Sequence, residues 1–387
     1  MDSLITYFGR NLAGIAFPIN ALLPLWLVIM IIRGGITPAI PPMPALIWGF
    51  IAILGFFIGI MIIPGNNFFL FFKIGTAFIA FFIGIAAGRW NSDENNFVKL
   101  FLVVGGLYVM VCTIAILKLV PSLLPIVNDV GNYQGNVVVR PSVTVDQNFQ
   151  IFYVFMPALV LALRFKKMSG GLALFFTVCA VFVLAKLQTR SGTLLMANII
   201  FLSLIAPLRF PQLGRKKVIV LPIVVLILVA VAFDQVMESS QEITQRFTQQ
   251  RYNTLYGRLY SAQYMFENLL NPEFWLPKGE GDFLKKTGNL PHFTPTAFYL
   301  QGGLLAIIAW VAIFMKPLIT LSRMFMKGKL DEVAIMIFIG AVTSFVAQLS
   351  LNAPYFEQTW LWAGAAIGVI KRLQDERKKS GTKKLIS

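Results

Sequence analysis

The chain alternates long apolar runs with short polar connectors, and that alternation sets the first expectation. Crossing a hydrocarbon core takes roughly 20 mostly apolar residues in a helix. Such stretches stand at about 12–32, 42–63, 67–88, 98–119, 150–165, 168–187, 191–208, 217–235, 297–315, 333–351 and 357–370. The pattern predicts eleven transmembrane helices. Pro18 and Pro24 leave a twelfth open, because prolines inside the first stretch can break it into a hairpin. That stretch lacks a basic n-region and a small-residue cleavage site, so it is expected to stay as a membrane helix. The fold class is an all-α polytopic membrane protein, one integral membrane domain over 1–387 with 11 or 12 spans.

Composition agrees. Of 387 residues, 57% are hydrophobic and 13% charged, with a mean hydropathy of +0.74, too apolar for a soluble domain with a polar surface. The net charge of +16 would also suit a nucleic-acid binder. The bases, however, sit in short runs between spans, so nucleic acid is excluded and the lipid bilayer is the expected partner. Cys112 and Cys179 both fall inside apolar spans, where a thiol acts as a small hydrophobe, and no disulfide is expected.

The basic clusters orient the spans. "RFKK" (164–167), "RFPQLGRKK" (209–217), "KPLITLSRMFMKGK" (316–329) and the tail 371–387 carry eighteen of the 33 bases and alternate correctly with the spans, marking them as cytoplasmic. The opposite, outer side then owns two longer loops, 120–149 and 236–296. Several cations lie on or near that outer side, where the positive-inside rule does not account for them: Arg140, Lys186, Arg190, Arg246, Arg251 and Arg258 among them. Each alone fits a long side chain snorkelling to the interface. As a set they suit a polyanion held at that surface, such as a lipid pyrophosphate.

The second outer loop is partly helical. "ITQRFTQQRYNTLYGRLYSAQYMFENLL" (243–270) lacks proline and shows helical spacing. Arg251 and Arg258, seven positions apart, share a face to within about 20° and suit the gripping of successive phosphates. Tyr252, Tyr256, Tyr260 and Tyr264 recur every four residues, which fits either packing or stacking on sugar rings. Asn271-Pro272 ends the helix, and Gly279 and Gly281 permit a tight turn. No phosphate-loop motif and no Rossmann strand accompany those glycines, so a nucleotide cradle is rejected. His292, the sole histidine, is either a hydrogen-bonding surface residue or a base able to take a proton from a hydroxyl. With one histidine and two buried cysteines, transition-metal chemistry is excluded. Glu280 and Asp282 beside lysines make a poor cage for a hard cation, so no metal and no cofactor are expected.

In order along the chain, "QTRSGTLL" with Arg190, "GRLYSAQYMF" with Arg258, "LPKGEGDF", "HFTPTAFYLQGGLLAIIAW" with His292, Gln301 and Gly303, and the closing "QTWLWAGAAIGVI" resemble the bacterial O-antigen polymerase and ligase superfamily. The likeness covers about 185–371; the N-terminal half matches only as a helix array. Phe293 stands where that family usually has a small polar residue, and Ala262 where ligases often have leucine.

The resemblance implies a GT-C-like membrane glycosyltransferase of the bacterial inner membrane, with its active site in the periplasmic loop 236–296 and its C-terminus cytoplasmic. It implies a metal-independent, inverting transfer that polymerises undecaprenyl-pyrophosphate-linked oligosaccharide units onto a glycan acceptor, with a chain-length regulator as a further partner. His292 and Arg258 would be catalytic; Arg190, Arg251, Arg258, Arg246, Arg140 and Lys186 would bind pyrophosphate. An O-antigen ligase acting on lipid A-core or a protein acceptor is the alternative within the family. A lipid-linked oligosaccharide flippase or transporter is the alternative of another class.

Overall fold

The computed structural model describes residues 41–63, 68–89, 251–287, 291–350 and 357–384, two short strands, and single positions among 110–113, 179 and 198–210. The predicted spans at 12–32, 150–165 and 217–235 lie outside the described residues. The chain divides into two compact units. In the unit made of Met1–Leu22, Asn95–Gln245 and Asp331–Ile339, the described positions of the spans 98–119, 168–187 and 191–208 are helical. Its loop 120–149 departs from the all-α expectation. Strands β1 (Ile126–Asp129) and β2 (Val138–Pro141) pair antiparallel there, with Val127 opposite Arg140. The cause is local: the β-branched Ile-Val and Val-Val pairs favour extended backbone.

The unit made of Leu23–Glu94, Arg246–Leu330 and Gly340–Ser387 holds the long helices. They are α1 (Met43–Ile62), α2 (Phe68–Arg89), α3 (Arg251–Leu269), α4 (Glu280–Thr287), α5 (Thr294–Trp310), α6 (Lys316–Met326), the 340–350 part of α7 (Glu332–Ser350), and α8 (Glu357–Lys384). Among the described residues, Met43–Ile62, Thr294–Met326 and Glu332–Leu349 are long and apolar enough to cross a membrane.

Helix α1 shows the face selection such a helix needs. Ala45, Gly49, Ala52, Gly55 and Gly59 are buried, whereas Met43, Ile47, Phe50, Phe57 and Met61 are exposed. Large apolar residues facing outward and small ones facing the neighbours invert the soluble pattern and suit lipid. The small face lets backbones touch. Gly55 lies against the Gly302 carbonyl and the Ala306 nitrogen, and Gly59 against the Gln301 carbonyl. Helices α2 and α8 interlock by the same device. Gly84 and Gly88 meet the carbonyls of Leu361 and Ala365, while Gly364 and Gly368 meet those of Phe81 and Ile85. Two G-x-x-x-G repeats thus cross reciprocally, and any side chain there would force the helices apart. The matching order of contacts makes α2 and α8 run in the same direction.

An aromatic core centres on fully buried Trp360. Its ring stands 5.0 Å from Phe78, 5.8 Å from Phe298 and 5.2 Å from Phe314. Those contacts correct one expectation. Phe298 and Phe314 are sixteen positions apart, which would separate them by about 24 Å on one helix, yet their rings are 6.1 Å apart. The expected span 297–315 is therefore not straight. It folds back at Gly303, whose φ of 65° and ψ of −159° interrupt α5, in a backbone region essentially reserved for glycine. Residues 294–302 form a short arm returning along 304–315. The part beyond the break, 304–326, is still about 34 Å long and sufficient to span. A second correction follows: 316–329, expected as a connector, is helical to Met326. The expected basic tail 371–387 likewise continues α8 as far as Lys384.

Between α5 and α6, residues Val311–Met315 form a π turn. Pro317, at the second position of α6, offers no N–H to the preceding turn, and its ring crowds the carbonyl four residues back. The widened turn relieves that conflict.

Candidate functional site

The loop that returns to α5 is built from capped pieces. Helix α3 ends at Asn271, whose side chain accepts the Glu273 N–H at 3.2 Å and starts a short 3₁₀ turn at Pro272–Phe274. The Trp275 indole then donates back to the Leu269 carbonyl at 3.2 Å. Gly279, with φ of 80°, makes the turn; Gly281 does not, since it already belongs to α4.

This turn seats on the break in α5. The Lys278 and Gly279 N–H groups both donate to the Leu300 carbonyl, at 3.1 and 2.7 Å, and the Leu304 N–H donates to the Trp275 carbonyl at 2.9 Å. Carbonyls left over where the short arm ends are thus satisfied from the loop. The Gln301 amide donates to Glu280 Oε1 at 2.7 Å. Gly303 is required on two counts, its backbone and its space: an added Cβ would lie 2.5 Å from the Trp275 carbonyl.

Helix α4 packs its buried Phe283 edge-on against Tyr264, centroids 5.2 Å apart, and near Tyr260 at 6.2 Å. Lys286 Nζ lies 5.5 Å from the Tyr264 ring centre, a cation–π geometry. Of the tyrosine stripe, Tyr264 is buried and Tyr260 half-buried against the core. These two serve packing rather than sugar stacking.

The contact that orders the site is buried: Thr296 Oγ1 donates to the Ser261 carbonyl at 2.8 Å. It ties α3 to the short arm 294–302. From that tie, α3 leads on toward Trp275 and the arm toward Leu304, which are themselves bonded. The two helices therefore run in the same direction; the tie falls mid-way along α3 and near the start of the arm, so the first turns of α3 extend about 12 Å beyond the arm. Position 258 lies three residues before Ser261, and position 292 four before Thr296, so both fall on the same side of the tie. His292 is exposed there, in the bend before Thr294, beside buried Pro291. Phe293, the N-cap residue, makes no side-chain capping bond.

His292 consequently precedes a short returning arm and does not head an unbroken span. Arg251 and Arg258 lie on one face of α3, as the spacing required. Arg140 lies on β2, across from Val127. Lys186, Arg190 and Arg246 lie outside the described residues. Among the described residues no group of three His, Cys, Asp or Glu side chains stands ready for a metal. Sequence reading missed the role of Glu280; its partner Gln301 is twenty-one positions away, and only the returning loop brings them together. The turn "LPKGEGDF" and the segment "HFTPTAFYLQGG", two separate signals in the sequence, form a single structure. Comparisons of the chain with family models, with curated proteins and with solved structures find no match.

Proposed function

We propose that this chain is a membrane glycosyltransferase that polymerises undecaprenyl-pyrophosphate-linked oligosaccharide units, and that Arg258 and His292 carry the chemistry. The observation that carries the reading is the Thr296–Ser261 bond at 2.8 Å, which joins α3 to the start of the arm, with positions 258 and 292 on the same side of that contact. The N-terminal end of the arm, the positive end of its macrodipole, then opens beside the middle of α3. Arg251 and Arg258 add cations on α3, and His292 adds an imidazole able to accept a proton from a hydroxyl. A broken helix whose N-terminal end holds an anionic group is an established use of discontinuous membrane helices.

On this reading the acceptor hydroxyl attacks the anomeric carbon, the bond from that carbon to the pyrophosphate oxygen breaks, and undecaprenyl pyrophosphate leaves with inversion. His292 orients the hydroxyl and receives its proton. Arg258 stabilises the charge that grows on the departing phosphate, with Arg251 and Arg246 holding the rest of the polyanion. One such contact in the transition state is worth ~3 kcal/mol, about a hundredfold in rate. No metal or cofactor is needed, because the pyrophosphate is already a good leaving group. The chain sits in the bacterial inner membrane with 11 or 12 spans, 120–149 and 236–296 periplasmic and the end of α8 cytoplasmic.

The test uses full-length protein in nanodiscs with a defined lipid-linked donor. His292→Ala and Arg258→Ala are each expected to slow glycan growth by about a hundredfold without loss of folded protein; full activity in both variants removes the assignment. Growth from repeat units alone identifies a polymerase, whereas transfer only when lipid A-core is added identifies a ligase. The broken α5 also favours a second reading, a flippase or transporter, since such helices line transport sites. Movement of labelled donor across vesicles with no covalent change would support that reading instead.

A further inference from the structure

A second feature lies at the other end of the same unit. A cleft of about 370 Å³ opens where the start of α1, the π turn with α6, and the 367–374 part of α8 meet. Its floor is apolar, from Ala45, Trp48, Ala312, Ile313 and Ile367, and its rim carries Lys316, Lys371, Thr320 and Gln374. No acid lines it. The size falls within the range of small-ligand sites. Its position follows from the packing: α1 runs antiparallel to 304–326, with Gly55 at Ala306 and Ala45 sharing the cleft with Ile313, so Pro42 and Lys316 share an end remote from Gly303. The shape has a local origin, because the π turn that Pro317 enforces widens the helix where Ala312 and Ile313 meet the cleft.

We propose that this cleft binds one anionic phospholipid, its phosphate between Lys316 and Lys371 and the start of its acyl chains on the apolar floor. Three observations support that occupant. The cleft joins an apolar floor to a cationic rim, the charge pattern of a lipid and not of a free anion. It lies beside two basic runs of the chain, 316–329 and 371–384, which mark the leaflet whose surface is anionic. Met43 and Ile319, next to it in sequence, are exposed at 68% and 45%, so the cleft opens where lipid-facing side chains stand. One lysine is held in part elsewhere: Lys371 Nζ bonds Asp375 Oδ1 at 2.9 Å. Asp375 therefore competes with the lipid phosphate for the same ammonium group. The site is separate from the end that carries Arg258 and His292, and the proposal does not depend on glycosyl transfer.

Native mass spectrometry of the detergent-purified full chain, titrated with phosphatidylglycerol or phosphatidylcholine, tests it. Each lysine near an anionic headgroup contributes about fivefold, so with Lys371 shared we expect about tenfold preference for phosphatidylglycerol in the unmodified protein. The double variant Lys316→Gln, Lys371→Gln should lose that preference at an unchanged melting temperature. Asp375→Asn removes only an exposed pair and should raise phosphatidylglycerol retention by up to about fivefold; it keeps the proposal testable if the double variant fails to fold. Inorganic phosphate at millimolar concentration should not displace the lipid. Equal retention of both lipids, an unchanged preference in the folded double variant, no gain in Asp375→Asn, or displacement by phosphate alone would each overturn the proposal.

Discussion

Replacing Gly303 with alanine probes the feature on which the site depends. At φ of 65° and ψ of −159° an alanine is strained by roughly 1–3 kcal/mol. Its Cβ would also stand 2.5 Å from the Trp275 carbonyl and 3.1 Å from Pro277 Cδ, an overpacking that adds about 1–3 kcal/mol more. A total of roughly 2–6 kcal/mol is comparable with the whole stability of many domains. The chain has two ways to relieve it. It can straighten α5, which would pull Phe298 from Phe314 and Trp360, or it can lift the 275–279 turn, which would break three backbone bonds. Two measurements separate the fold-back from a straight helix. Thermal unfolding in detergent should show Gly303→Ala as strongly destabilised. In a protein whose Cys112 and Cys179 are replaced by alanine, Phe298→Cys with Phe314→Cys should cross-link through a short bifunctional thiol reagent, because the native rings are 6.1 Å apart. A straight helix would hold those positions about 24 Å apart. An undisturbed Gly303→Ala together with no cross-link would refute the fold-back.

Other substitutions read out the packing. Gly84→Leu or Gly364→Leu should cost at least 1–3 kcal/mol in detergent melts, since α2 and α8 touch backbone to backbone there; Gly75→Ala, with nothing within 4 Å of the added carbon, should be neutral or slightly stabilising through helix propensity. Gln348→Leu removes the acceptor, 2.6 Å away, of the buried Trp310 indole N–H, and should cost about 1–3 kcal/mol, most of which Trp310→Phe in the same chain should recover. The Lys371 ammonium beside Asp375 holds that carboxyl below its usual range. A depressed carboxyl contributes above its unfolded pKa and loses the contribution as pH falls through the folded value. Asp375→Asn should therefore differ from the parent by only a few tenths of a kcal/mol at neutral pH and not at all near pH 2, as acid-to-neutral melting curves would show.

Much of the helical frame was legible because hydropathy and punctuation agree. Pro42 before α1, and the polar residues around 64–67, bound two apolar runs that hydropathy places within a residue or two of their observed limits. The helix 251–269 was legible from its lack of proline and its stop at Asn271-Pro272. The fold-back at Gly303 was not, since hydropathy measures how apolar a run is and says nothing of its direction. The Gly302-Gly303 pair inside an apolar segment was the available signal. The G-x-x-x-G spacings at 84–88 and 364–368 were equally visible, but their partnership is tertiary. The 126–129 strand pairing rests on short β-branched runs that a search for spans passes over. At the site, the shared face of Arg251 and Arg258 came directly from helical geometry. The placing of positions 258 and 292 on one side of a common contact required the Thr296–Ser261 bond, across thirty-five positions.

The central claim is that the chain makes a covalent glycan bond from a lipid-linked donor. The most direct measurement incubates purified protein in nanodiscs with one defined undecaprenyl-pyrophosphate oligosaccharide, with and without chelator, and follows both products. Glycan growth is expected with one undecaprenyl pyrophosphate freed for each glycosidic bond formed, at the same rate in both conditions. An intact donor after prolonged incubation with folded protein, or product formation abolished by chelator, would contradict it.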